Sequence, residues 1–303
     1  MTATGQIVAR GDNDYAADFE WAYITYAATD NISISAGRLR LPLFKYSASL
    51  DVGYSYHWVN APQTVYNVPF NNIDGIRVDY SNYSGDWEYS LQFAYGTYET
   101  SNETFSLVGK DTLVFSVEAQ NEGFNIRGVA GRGKSTFTVP GLEPIFAGIE
   151  PFISPALFNN LKHEDDTGVF LGLGLEYDAY DWFVSSEITS VNTADSFNPE
   201  DIAYYVTAGM RFGKWTSSLT YEVKESDEDL KFADQVNALP DSLRGNIQFL
   251  QGVFADDEQA ITLGLRYDMD TNVALKADIS KYTDDLNEIN DATLIRVGVS
   301  YVF

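Results

Sequence analysis

Cysteine is absent from this 303-residue chain, histidine occurs twice and methionine three times. Without thiols there can be no disulfide framework, thiolate nucleophile or cysteine-held metal. Basic residues are scarce: 19 Lys and Arg stand against 44 Asp and Glu, a formal charge of −25. Such a surface repels phosphate and argues against nucleic acid as a partner. No run approaches the 18 or so apolar residues of a membrane helix. Nor does a basic, apolar leader open the chain at Met1, so a targeting peptide is expected to have been removed or to lie outside this numbering.

Aromatic rings are plentiful: 20 Tyr, 19 Phe and 5 Trp, within a hydrophobic content of 45% that excludes wholesale disorder. Length alone suggests about two soluble domains, but the patterning does not. Ile295, Val297, Val299, Tyr301 and Phe303 alternate with Arg296, Gly298 and Ser300. Ile261, Leu263, Leu265, Tyr267 and Met269 alternate with Thr262, Gly264, Arg266 and Asp268. A period of two means strands with one apolar and one polar face.

Fourteen such segments are predicted: 3–11, 18–29, 32–41, 74–83, 87–99, 111–120, 123–135, 167–179, 181–193, 201–212, 215–226, 258–269, 272–284 and 292–303. Most exceed the usual soluble strand of about 5–6 residues and match the roughly 9–11 of a tilted membrane-spanning strand. Tight turns at Asp30-Asn31, Ser84-Gly85-Asp86, Asn121-Glu122, Tyr180-Asp181, Gly213-Lys214 and Asp270-Thr271 alternate with longer connections at 11–17, 42–73, 100–110, 136–166, 194–200, 227–257 and 285–291. Long loops at one end and short turns at the other are the layout of an outer-membrane barrel. Trp87, Trp182 and Trp215 open strands just after tight turns, and Tyr177, Phe212 and Tyr267 close them just before, as an interfacial girdle would. The expectation is an all-β chain, 1–303, forming one antiparallel up-and-down transmembrane β-barrel.

In this architecture, and most specifically in its last strand TLIRVGVSYVF, the chain resembles the Gram-negative outer-membrane porin family. The resemblance implies that Tyr301 and Phe303 belong to an assembly signal read by the barrel-assembly machinery. It also implies a homotrimer in the bacterial outer membrane, amid lipid bilayer and lipopolysaccharide, without a cofactor. General porins have 16 strands and a constriction loop between the fifth and sixth. Fourteen are counted here, and two absent N-terminal strands would bring 42–73 into the constriction position.

That segment carries Lys45, Asp51, Tyr54, Tyr56, His57 and Trp58, and loops of its size are usually functional. It reads as a constriction loop; a cap over the mouth and a sugar-binding track of rings are the alternatives. Charges on the polar parity must face water, because one facing mid-membrane lipid costs about 2–4 kcal/mol. By resemblance, Arg10, Arg38, Arg40, Arg77 and Arg127 form a basic wall facing acids on a loop, while Asp79, Glu88 and Glu118 are expected on the polar parity of the same lumen; ion pairs bracing the wall are the plainer reading. Arg38 and Arg40 share parity with Ile32 and Ile34, so a bulge at Gly37 is predicted to turn them inward. Acids crowd the loops, among them Asp227, Glu228, Asp229 and Asp234, and Glu164, Asp165 and Asp166. Stretch 142–161 is apolar for an exposed loop and is expected to fold over the mouth or meet a neighbour.

The function expected is passive diffusion of ions and small hydrophilic solutes, with cations preferred. A substrate-specific channel for oligosaccharides or other small nutrients is the alternative. An outer-membrane hydrolase is more remote, because neither His57 nor His163 sits in a recognisable sequence constellation; no catalytic or metal-binding residue is assigned. A closed structural barrel is disfavoured by small inward positions such as Gly172, Gly174, Ser185, Thr207, Gly209 and Gly264.

Overall fold

The computed structural model describes residues 1–11, 14–227 and 229–303; Glu228, counted above among the loop acids, lies outside them. Fourteen strands form one antiparallel meander: β1 Thr2–Ala9, β2 Ala17–Ala27, β3 Ile32–Arg40, β4 Asn72–Ser84, β5 Trp87–Ser101, β6 Ser106–Asn121, β7 Phe124–Thr138, β8 Asp166–Asp178, β9 Trp182–Thr193, β10 Asp201–Phe212, β11 Trp215–Ser226, β12 Asp257–Asp270, β13 Val273–Asp284 and β14 Ala292–Tyr301. Each pairs only with its sequence neighbours. The single transmembrane-type sheet expected from the alternation is therefore the fold.

The largest departure is β6, which starts five residues before the predicted 111. Asp111 adopts a left-handed φ of 48°, and the β6–β7 register shifts between Lys110 and Leu113. That irregularity reverses the alternation and conceals the first part of the strand. The β5–β6 connection is consequently short, 102–105, so long and short connections do not alternate as strictly as predicted.

Apolar side chains point outward. Leu171, Leu173 and Leu175 are 49–52% exposed, while Ser185, Glu187 and Thr189 on the adjoining β9 are buried inside. The rings beside the tight turns lie on this outer face: Phe124 packs on Tyr177 at 4.5 Å, Tyr177 on Trp182 at 5.3 Å, and Trp215 on Tyr267 at 4.5 Å. An apolar outside around a polar inside reverses the arrangement of a soluble protein.

The sheet curls around the connection 41–71, which touches strands from β3 to β14. Among the described residues β1 and β14 each have one hydrogen-bonded neighbour and are not paired with each other. Ile295, Val297 and Val299 on β14 are 70–79% exposed because strands flank them on one side only.

The predicted bulge at Gly37 is not present as a register shift. Both ladders of β3 run without interruption through Gly37, paired with Tyr23 and Gly75. What is unusual there is the backbone itself: φ is +135°, and a Cβ would lie 2.4 Å from the Ala22 carbonyl oxygen. Arg38 accordingly keeps the outer parity of Ile34 and Ala36, half exposed and paired with Asp74 at 2.9 Å. Arg40, at the end of the strand, is buried inside.

Three connections at the long-loop end build a helical cap. The 139–165 connection forms α1 (Glu143–Ile149) and α2 (Pro155–Leu161), the latter capped by Ser154, whose Oγ accepts from the Leu157 N–H. The 227–256 connection forms α3 (Ala233–Val236) and α4 (Asp241–Gly252). Ile149, Leu161, Val236, Ile247 and Leu250 meet there with no solvent exposure, joined by Phe197 from the 194–200 connection. The apolar stretch 142–161 thus folds over the mouth, with the other loops as its partners.

Leu171→Arg, on the outer face, should cost about 2–4 kcal/mol of folding free energy in phospholipid vesicles. Urea titration of the reconstituted protein measures it; a cost below about 0.5 kcal/mol, the range of ordinary surface changes, would contradict an outer face in hydrocarbon.

Candidate pore and inner segment

The 41–71 connection has little regular structure: two 3₁₀ turns, Ser47–Ser49 and Gly53–Ser55, and one helical turn, Gln63–Tyr66. Its peptide groups therefore need partners from elsewhere, since buried backbone polar groups are almost always hydrogen-bonded. The curled wall supplies them. Arg127 on β7 donates to the carbonyls of Pro42 and Leu43. Arg266 on β12 donates to those of Tyr54 and Tyr56, at 2.7 and 2.8 Å. Lys276 on β13 donates to three, Gly53, Tyr56 and Trp58.

Carboxylates do the complementary work. The Lys45 N–H donates to Glu187 on β9 at 2.8 Å, the Val59 N–H to Asp278 on β13 at 3.2 Å, and the Thr64 N–H to Glu222 on β11 at 3.2 Å. Arg127, Glu187, Glu222, Lys276 and Asp278 are all buried. Side chains of the segment extend the grip: the Trp58 indole donates to Thr220 at 2.8 Å, Tyr66 to Glu187, and Lys45 pairs with Glu176. Tyr54 donates to the Thr271 carbonyl in the tight β12–β13 turn, so the segment descends to that end of the sheet.

Rings fill the space beneath. Phe44, Tyr56, Trp58 and Tyr66 pack with Phe170 and Tyr205 from the wall into one buried cluster. His57 lies between Trp58 and Phe183, with ring centroids at 3.9 and 4.8 Å. The small inward residues give room to neighbouring side chains: a Cβ on Gly209 would lie 2.2 Å from the Phe183 ring, and one on Gly172 would lie 2.7 Å from Val129.

Of the five arginines expected to form a basic wall, four lie inside and all are engaged. Arg10 pairs with Glu20 and Asp51 at 2.8 and 2.7 Å; Arg40 pairs with the same two acids and donates to the Ser47 carbonyl. Arg77 pairs with Asp79 on its own strand, and Arg127 is spent on the segment. Arg38, as noted, is on the outer parity. Asp51, the one acid of the segment, meets Arg10 and Arg40, so the expected opposition of arginines and loop acids exists at that one point. Glu88 and Glu118 bond Gln120 and Asn125. Glu88 lines an acidic recess of about 420 Å³ at the tight-turn end, with Asp86, Glu122, Glu176 and Asp178. Tyr301 and Phe303 are exposed at the end of β14, their rings 6.1 Å apart.

Arg266 and Lys276, unassigned above, proved central. They sit directly opposite each other on β12 and β13. Two like charges in that position are unfavourable unless they share acceptors; counting back from the Asp270-Thr271 turn does not pair them, because the register shifts between Asp268 and Asp270.

A second unforeseen group joins wall and cap. Ser135 Oγ lies 2.7 Å from His163 Nε2, and His163 Nδ1 lies 3.1 Å from the Asn198 amide. Burial, assisted by the Lys231 ammonium, pushes the His163 imidazole down to about 4. The folded cap therefore holds the neutral ring. Its stabilisation is complete above the unperturbed value of 6.5 and is lost as pH falls from there towards 4.

No protein-family profile and no curated protein matches the sequence. Solved structures match along nearly the whole chain. OmpT of Vibrio cholerae lacking loop L8, an outer membrane protein, superimposes with a TM-score of 0.58 at 12% identity, covering 99% of this chain and 84% of that one. OmpF of Salmonella typhi, solved with daunomycin, gives 0.57 at 13%, with the same coverage. The anion-selective porin of Comamonas acidovorans gives 0.54 at 12%, covering 99% and 82%. The chain has the porin fold.

Two outcomes are expected. Lys276→Met leaves the Gly53 and Trp58 carbonyls without their donor, Tyr56 keeping Arg266, and should destabilise the protein by about 3 kcal/mol, as measured by urea unfolding in detergent. Proteolysis within 139–165 should accelerate as pH falls from 6.5 towards 4, and His163→Phe should abolish that pH dependence.

Proposed function

We propose that the protein is an outer-membrane channel of the bacterial envelope, through which ions and small hydrophilic solutes diffuse passively. The observation that carries this reading is the inversion of the sheet: an apolar outer face encloses a wall of Arg127, Glu187, Glu222, Lys276 and Asp278. Hydrocarbon tolerates no free strand edge, so closure of the β1 and β14 seam in the bilayer is part of the proposal. The 41–71 segment acts as the constriction, tied across the bore by those charges. A homotrimer surrounded by lipopolysaccharide, assembled by the barrel-assembly machinery with Tyr301 and Phe303 as its signal, follows from the porin resemblance.

Cations are preferred. The porin fold does not decide the sign of the ion, since an anion-selective porin shares it; the fixed charge does. This chain carries −25 overall, and its basic inward side chains are occupied by ion pairs or peptide carbonyls, whereas Asp86, Glu88 and Glu122 line the recess at the tight-turn mouth. Specific uptake of an oligosaccharide or other small nutrient is the runner-up, supported by the ring-rich segment.

A hydrolase has one observation in its favour, the Ser135–His163–Asn198 chain. An imidazole pushed down to about 4 is a weak base at neutral pH, and the chain serves better as a tie between cap and wall. Ester hydrolysis lost in Ser135→Ala would reinstate the enzyme.

Planar-bilayer recording under a KCl gradient tests the channel. The reversal potential should have the cation sign and should move towards zero in Glu88→Gln with Glu118→Gln. Absence of conductance, or an anion-selective potential, would overturn the proposal.

A further inference from the structure

Between the inner segment and the cap lies a chamber of about 370 Å³, within the range of about 300–1,000 Å³ typical of small-molecule sites. Its surface is largely apolar: Val114 and Phe170 from the wall, Val65 and Phe70 from the segment, Phe137 at the end of β7 and Phe254 from the cap contribute to it. An ion pathway has no use for such a lining, which offers a hydrated solute nothing in exchange for its water.

Two polar groups on this surface lack partners. Thr112 is buried on the inner face of β6, and its hydroxyl has no hydrogen-bond partner. The Asn198 Oδ1 is likewise buried and unpaired, the other end of that amide being held by His163. Reversing the amide merely exchanges an orphan acceptor for an orphan donor, so a group able both to donate and to accept satisfies it either way. A hydroxyl is such a group.

The charges at the margin are already neutralised. Lys224 pairs with Asp256 and, at 3.6 Å, with Asp201. Arg132, also at the margin, is exposed to solvent. Among the described residues lining the chamber no unpaired buried charge remains to hold an ion, and the apolar surface penalises one.

We infer that this chamber is a binding site for a small, uncharged, mostly apolar alcohol, a ring bearing a hydroxyl, with the ring among Val114, Phe170 and Phe254 and the hydroxyl meeting Thr112 and Asn198. The site does not depend on ion passage, and a protein that conducts nothing would still bind.

The probe is 2-phenylethanol, titrated calorimetrically into the folded, detergent-solubilised protein, with glucose as the polar control. Saturable binding of 2-phenylethanol and none of glucose is expected. Thr112→Val, which removes an unpaired buried hydroxyl at almost constant volume, should raise the melting temperature of the unliganded protein while weakening 2-phenylethanol binding by up to about tenfold. Val114→Trp, which fills the chamber, should abolish binding; its folded state is checked by heat-resistant gel mobility. No saturable binding to the folded wild type, or unchanged affinity in both variants, would overturn the inference. Glucose binding with equal affinity would do so as well.

Discussion

The structure depends on how an irregular stretch of backbone is accommodated inside a sheet. The 41–71 segment brings peptide N–H and C=O groups into the interior without a helix or strand to pair them. Each unpaired group would cost about 1–3 kcal/mol. The wall answers with charged side chains at fixed heights, cations beneath the carbonyls and carboxylates beneath the amides. Arg127, Arg266 and Lys276 reach six different carbonyls between them, those of Pro42, Leu43, Gly53, Tyr54, Tyr56 and Trp58. The inner charges of this protein are thus first of all structural, and their effect on permeation is a consequence of where they had to be.

From that constraint the rest follows. A wall that must present charge inward has to place its apolar side chains outward, and a sheet with an apolar outside needs lipid around it. Small inward residues, which would widen an empty bore, here give room to wall rings such as Phe183 against Gly209. Two of the spaces that remain around the segment are of opposite character. One is the acidic recess at the tight-turn mouth; the other is the apolar chamber under the cap.

The strands, their number and the outer rings were legible because period-two alternation is a local signal that the pleat imposes directly. Where the backbone departs from the pleat, as at Asp111, alternation starts β6 late; at Gly37 alternation holds, and only the bulge inferred from the glycine turns Arg38 inside. The inward fold of 41–71 was anticipated from its length and composition, but not its anchors. Arg266, Lys276, Glu187 and Glu222 look in sequence like any other residues of a polar stripe, and only the register between strands shows which of them converge. The Ser135–His163–Asn198 chain was invisible for the same reason, its members lying on a strand and two separate connections.

The central claim is that the segment lies across the interior, fixed to the wall. The absence of native cysteine makes a direct test clean. A Cβ built on Gly53 lies 3.2 Å from the Ser300 Oγ on β14, near the geometry in which a disulfide closes without moving the backbone. Gly53→Cys with Ser300→Cys, refolded and mildly oxidised, should form an intramolecular disulfide rapidly and nearly quantitatively, seen as a mobility shift reversed by reductant. Two free thiols persisting in the folded protein would mean that the segment does not lie where the wall charges hold it.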